Sequence, residues 1–170
     1  MHFQISLEFI VVSLFLGLLT LAAFSDMSKY RIPNPVCVAI AILYPVHVFV
    51  SRVSVDWVGG LIVSVVIFAS AAALFAGGIL GGGDVKFASA VALWAGPPLI
   101  TEFVIVMALS GGFLAFILMS PLRDIWARVF DNGGNVETRN AVLARVVPYG
   151  LAIAVGGYAI GLRLIPTAQV

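Results

Sequence analysis

Charge is what this chain has least of. Only 10% of its 170 residues are Asp, Glu, Lys or Arg, while 62% are hydrophobic. A soluble domain carries roughly a quarter charged residues, so an ordinary water-facing surface cannot be built from this set. The net charge of +1 comes with no basic cluster large enough to hold nucleic acid. The one cysteine, Cys37, excludes an internal disulfide and any cysteine-based metal site; within an apolar segment it reads as a small packing residue. His47 stands near a segment end with no cluster of partners, so it is expected as an interfacial side chain rather than a ligand. The start of the chain lacks the Lys/Arg-rich opening of a secretory signal and carries Glu8, so the first apolar segment is expected to remain as a span.

What is present is a series of apolar runs long enough for helices rather than barrel strands. The fold class is therefore all-α, a single polytopic membrane domain over 1–170, with six spans at about 5–25, 35–50, 57–80, 84–95, 99–120 and 148–164. Pro33, Asn34 and Pro35 force a turn after the first span, and Pro45 is expected to kink the second. Trp57 is a candidate interface anchor. Gly59-Gly60 and Gly77-Gly78 would permit close helix packing. The fourth span is short, closed by Gly96-Pro97-Pro98, and with Trp94 at the far interface it would start inside the bilayer. Between the last two spans, Pro121 to Val147 is the longest polar stretch. Its first part has two faces at helical spacing and could lie along the membrane surface.

Orientation follows from the basic residues. The loops after spans one, three and five hold Lys29, Arg31, Lys86, Arg123, Arg128, Arg139 and Arg145, against Arg52 and Arg163 on the other side. The odd loops are thus expected in the cytoplasm and both termini outside.

Chemistry enters at Gly81-Gly82-Gly83-Asp84-Val85-Lys86. Three glycines let the backbone reach conformations closed to other residues, and a carboxylate in so apolar a chain is a functional candidate. Asp26 ends the first span on the same side, because the chain crosses out and back between the two. Glu8, Asp56 and Glu102 all belong to the opposite face. Two carboxylates sharing one proton suffice for peptide hydrolysis: the neutral one polarises the scissile carbonyl and the other draws a proton from water. That chemistry calls for no cofactor and no metal. The plainer alternative is two loop acids paired separately with Lys29 and Lys86.

Gly81-Gly82-Gly83-Asp84 fits the G-x-G-D signature of the intramembrane aspartyl proteases, and with Lys86 it resembles the prepilin-peptidase form of that signature. Asp26, followed after five residues by Ile32-Pro33-Asn34, is similar to the segment that carries the first catalytic aspartate of the type IV prepilin peptidases. Val147-Pro148-Tyr149-Gly150 is also similar to the family's entry into its last span, so the resemblance covers nearly the whole chain. It implies that Asp26 and Asp84 are the catalytic pair. Gly81 and Gly83 would shape the loop that presents Asp84, with Lys86, Ile32, Pro33 and Asn34 completing the motifs. The implied substrate is a prepilin, its leader followed by a hydrophobic helix lying in the lipid bilayer. Larger members carry a Cys-x-x-Cys insert and methylate the new N-terminus; here the first loop is short and lacks those cysteines. N-methylation is therefore not expected, and the chain resembles the peptidase-only branch acting on tight-adherence (Flp-type) pilins.

Two other classes remain. A small transporter would also place acids at broken helices, but it should show internal repeats, and none is found between the first and last three spans. A non-catalytic subunit of a pilus or secretion machine would have no need of the acid pair. Helix dipoles suggest a division of labour within that pair. Asp26 lies at the negative pole of its helix and is expected to hold the shared proton; Asp84 lies at a positive pole and is expected to be the ionised base.

Overall fold

The computed structural model describes residues 2–119 and 148–165. They form five helices: α1 (His2–Lys29), α2 (Asn34–Val50), α3 (Trp57–Ala76), α4 (Gly82–Met119) and α5 (Tyr149–Leu164). The all-α expectation holds. Five helices are described rather than six, because α4 runs through what the sequence divides into spans four and five. Among the described residues, three helical stretches are long and apolar enough to cross a membrane, Leu7–Lys29, Trp57–Ala76 and Gly82–Ile117, with α2 and α5 as shorter apolar helices. The polar stretch 121–147 lies outside the described residues.

The α4 helix is interrupted once, at Gly96, whose φ of 54° and ψ of −173° are non-helical. Pro97 and Pro98 follow and cannot donate backbone hydrogen bonds to the preceding turn. The consequence is a reversal. Beyond the break, Phe103 and Met107 neighbour Gly156 while Gly111 neighbours Ala152, so this half opposes α5. Before the break, Val91 neighbours Gly157, while Asp84 shares a cavity with Asp26, to which Gly150 is bonded. That half therefore runs with α5.

Val85 to Ala95, the half before the break, is the hub of the bundle. Val85 and Phe87 through Ala95 are all buried. Its alanines leave room for close approach, and Ser64 Oγ donates to the Ser89 carbonyl across the α3 contact at 2.9 Å. Around the hub, Phe15, Leu19, Ile40, Phe103 and Ile160 are fully enclosed. By contrast α3 exposes Val65, Val66 and Phe68, and α1 exposes Leu14, Leu21 and Phe24. Those apolar faces suit lipid rather than water.

Several expectations change at this level. Helix α3 ends at Ala76, not near Leu80, because Gly77-Gly78 stop it. Gly78 has φ 71°, and the Gly78 and Ile79 N–H groups bond back to the Phe75 and Leu74 carbonyls. This is a Schellman cap, so these glycines terminate a helix and do not pack one. Gly59-Gly60 do pack, against Pro97, Tyr44 and the Leu93 carbonyl. Trp94 is not an interface marker: it is 3% exposed, its ring stacks on Phe15 and its Nε1 donates to the Ile40 carbonyl at 3.0 Å. His47 is likewise not interfacial. It is buried and stacked on Trp94, since a flat imidazole fills an aromatic layer as readily as it meets headgroups. Cys37 is buried and free, as a packing residue should be.

Candidate active site

Ala22, Ala23 and Asp26 fall on one face of α1, because residues three and four apart share a helix face. The two alanines are buried, and the same face carries the Asp26 side chain inward, where the residue is only 5% exposed. Asp26 lies within the last turn of α1 rather than after it. The helix stops at Lys29 because Tyr30 adopts the left-handed conformation at φ 49°. Ser25 Oγ donates to the Arg31 carbonyl at 2.8 Å and secures the turn. Pro33 then stands at the N-cap of α2 and Pro35 lies in its first turn, where a missing N–H costs nothing.

Asp84 arrives from the start of α4. The Gly81 carbonyl accepts the first helical bond, from Val85 N, and the Gly81 N–H donates to Asp84 Oδ2 at 3.2 Å. This is the reach-back half of a capping box. The stretch is therefore a helix N-terminus, and the expected loop is confined to the residues before it. The glycines also serve differently from expectation. None of Gly81, Gly82 and Gly83 has a positive φ, so they supply space rather than unusual dihedrals. A Cβ on Gly81 would lie 2.9 Å from Asp84 Oδ2, and one on Gly83 would lie 3.5 Å from Ile32 Cβ and 3.6 Å from Ile32 N. Gly83 is where the two motif segments touch.

Asp26 and Asp84 line one cavity of about 280 Å³, together with Tyr30, Arg31, Ile32, Asn34, Gly81, Gly82 and Gly83. Each carboxylate has Oδ2 held by a backbone N–H: Gly81 for Asp84, and Gly150 for Asp26 at 2.8 Å. Of the residues singled out in the sequence, Lys86 and Pro33 do not line the cavity. Lys86 Nζ donates instead to Asn34 Oδ1 at 3.0 Å, tying the start of α4 to the start of α2. The Lys86 ammonium is thus directed to the second motif rather than kept as a private partner of Asp84.

Tyr30 and Arg31 line the cavity but were not singled out in the sequence. Left-handed backbone normally belongs to Gly or Asn, so nothing in the residue type announces Tyr30. Burial, and secondarily the Asp26 charge, raises its phenol above the ordinary value, so it stands by the cavity as a neutral hydroxyl. Gly150 could be found only as part of the Val147–Gly150 similarity, because its role depends on α5 folding back onto α1.

Such a cavity turns two carboxyl groups onto one space that is large enough for water. In comparisons with known proteins, no curated protein and no solved structure matches the chain. A family model described as the type IV leader peptidase family matches residues 13–117, more than half of the chain and inclusive of both aspartates. The chain belongs to the type IV leader peptidase family, and by that membership it is a peptidase.

Proposed function

We propose that the protein is an aspartic-type endopeptidase that removes the leader from type IV, Flp-like prepilins, with Asp26 and Asp84 as its catalytic pair. The observation that carries this reading is that two acids far apart in sequence line a single cavity. Asp84, ionised, takes a proton from water as the water oxygen attacks the scissile carbonyl carbon. Asp26, protonated, gives its proton to the carbonyl oxygen. Collapse of the tetrahedral intermediate delivers a proton to the amide nitrogen, the C–N bond breaks, and the pair returns to one shared proton. Proton sharing belongs to the pair rather than to either residue.

The reversal of α4 at Gly96 supports reading its halves as two passes. With that reading the chain makes six passes of a bacterial inner membrane, both termini outside and the aspartates at the cytoplasmic face. The short turn between α1 and α2, Tyr30 to Pro33, has no room for a cysteine-bearing insert, so cleavage is expected without N-methylation. A helical peptide bond is shielded from attack, so the substrate helix must unwind at the cut site. Co-expression with candidate prepilins, scored by leader removal, tests the reading. Wild type should shorten a prepilin, while Asp26→Asn and Asp84→Asn should insert normally and leave it uncut. A prepilin panel left intact by wild type would refute the substrate assignment.

A further inference from the structure

Helix α5 begins without a cap of its own. Pro148 at its N-cap has no side-chain hydrogen-bonding group; its carbonyl accepts from the Leu151 N–H at 3.2 Å, but the first N–H groups of a helix need acceptors from outside it. The Gly150 N–H finds one on another helix, Asp26 Oδ2 at 2.8 Å. The fit is close. A Cβ on Gly150 would lie 2.7 Å from Asp26 Oδ2, 2.9 Å from Asp26 Cγ and 2.8 Å from Ile32 Cδ1. No side chain can be accommodated there unless the carboxylate moves. Gly150 is itself buried, and it lies beyond the 13–117 stretch that the family model matches.

We infer that Gly150 is a positioning residue for the Asp26 carboxylate, its N–H fixing Oδ2 and its bare Cα leaving the space that the carboxylate occupies. This rests on the aspartic-peptidase reading above. Holding Oδ2 leaves the other oxygen of Asp26 to carry the shared proton toward Asp84 and the scissile carbonyl. Asp26 in turn caps α5. The arrangement also bears on the division of labour expected from helix dipoles. The negative pole of α1 opposes charge on Asp26, but the positive pole of α5 meets it, so the two acids are less unequal than their own helices imply.

The test uses the full chain in detergent and a prepilin-derived substrate. Gly150→Ala should lower kcat about 100-fold, the scale of a misplaced catalytic group, with KM and melting temperature close to wild type. Adding Ile32→Val, which relieves the crowding on Ile32 alone, should not restore kcat. Recovery in that double variant would show that Gly150 merely packs against Ile32 and would overturn the inference, as would a Gly150→Ala enzyme of normal kcat. Should Gly150→Ala fail to fold, glycolic acid installed at position 150 deletes the N–H and adds no bulk. It should cut kcat on the order of 10- to 100-fold, the worth of a hydrogen bond to a charged group. It should also shift the Asp26 carboxyl band in isotope-edited infrared spectra, identified by its loss in Asp26→Asn. An unshifted band with normal kcat would overturn the inference. Because the band shift needs no substrate, it tests the Gly150–Asp26 bond even if wild type cuts no prepilin, which would count against the peptidase reading instead.

Discussion

Carboxylates occur at both ends of this helix bundle, and they are used differently. At the end away from the cavity, Asp56 caps α3 by accepting from Gly59 N at 2.9 Å. Glu102 pairs with Arg163 at 3.5 Å, and buried Glu8 accepts from Ser51 Oγ at 3.2 Å. Each has a task that a neutral side chain of similar shape could partly perform. At the cavity end, Asp26 and Asp84 are bonded through backbone N–H groups and open on a shared space. The three distant acids are therefore an internal control for the two near ones. Burial alone does not separate the two groups, since Glu8 is 6% exposed and Asp26 5%. A second carboxylate across a cavity is what distinguishes Asp26.

The sharpest way to break that contrast is to neutralise acids at both ends. Asp26→Asn or Asp84→Asn should lower cleavage about 1,000-fold or more, as removal of one member of a catalytic unit does. Glu102→Gln and Glu8→Gln should change it by no more than about 3-fold. A size series at Gly83 comes next. Alanine meets Ile32 at ordinary contact distance and should be tolerated, whereas valine should drive the two motif segments apart and cost about 10- to 100-fold in kcat. Melting temperatures of the two variants would separate loss of geometry from loss of fold.

Tyr30 sharpens the comparison from the side of stability. Its left-handed backbone costs on the order of 1 kcal/mol that glycine would not. Tyr30→Gly should thus raise the melting temperature by a few degrees while lowering cleavage about 10-fold, if the ring helps to shape the cavity. A stabilised variant with full activity would assign Tyr30 to the helix stop alone. The smallest effect concerns the Lys86–Asn34 bond, which is exposed. A double-mutant cycle of Lys86→Met and Asn34→Ala on stability should give a coupling of about 0.5–1 kcal/mol.

Hydropathy made the helical class and most helix limits readable, since α2 and the start of α3 lie where the apolar runs begin. The two aspartates were readable because parity of crossings puts both at one end. What was not readable depended on contacts. Gly77-Gly78 and Gly59-Gly60 look alike in sequence, yet one pair caps a helix and the other packs it, because only the first has carbonyls behind it that need donors. Trp94 looked like an interfacial anchor because it closes a short helix. The reversal at Gly96 instead places it beneath Phe15, Tyr44 and His47. Gly81 to Gly83 looked like a loop that needs unusual backbone conformations, but their lack of side chains serves Asp84 and Ile32.

The central claim is that Asp26 and Asp84 act as one unit, and single-turnover cleavage of a prepilin by Asp26→Asn, Asp84→Asn and the double variant tests it most directly. Removing either member of a unit that shares one proton should be as damaging as removing both. The account predicts that all three variants fall to the same residual rate while retaining the wild-type melting temperature to within a few degrees. Either single variant cutting at near wild-type rate, or two single losses that multiply in the double variant, would contradict it.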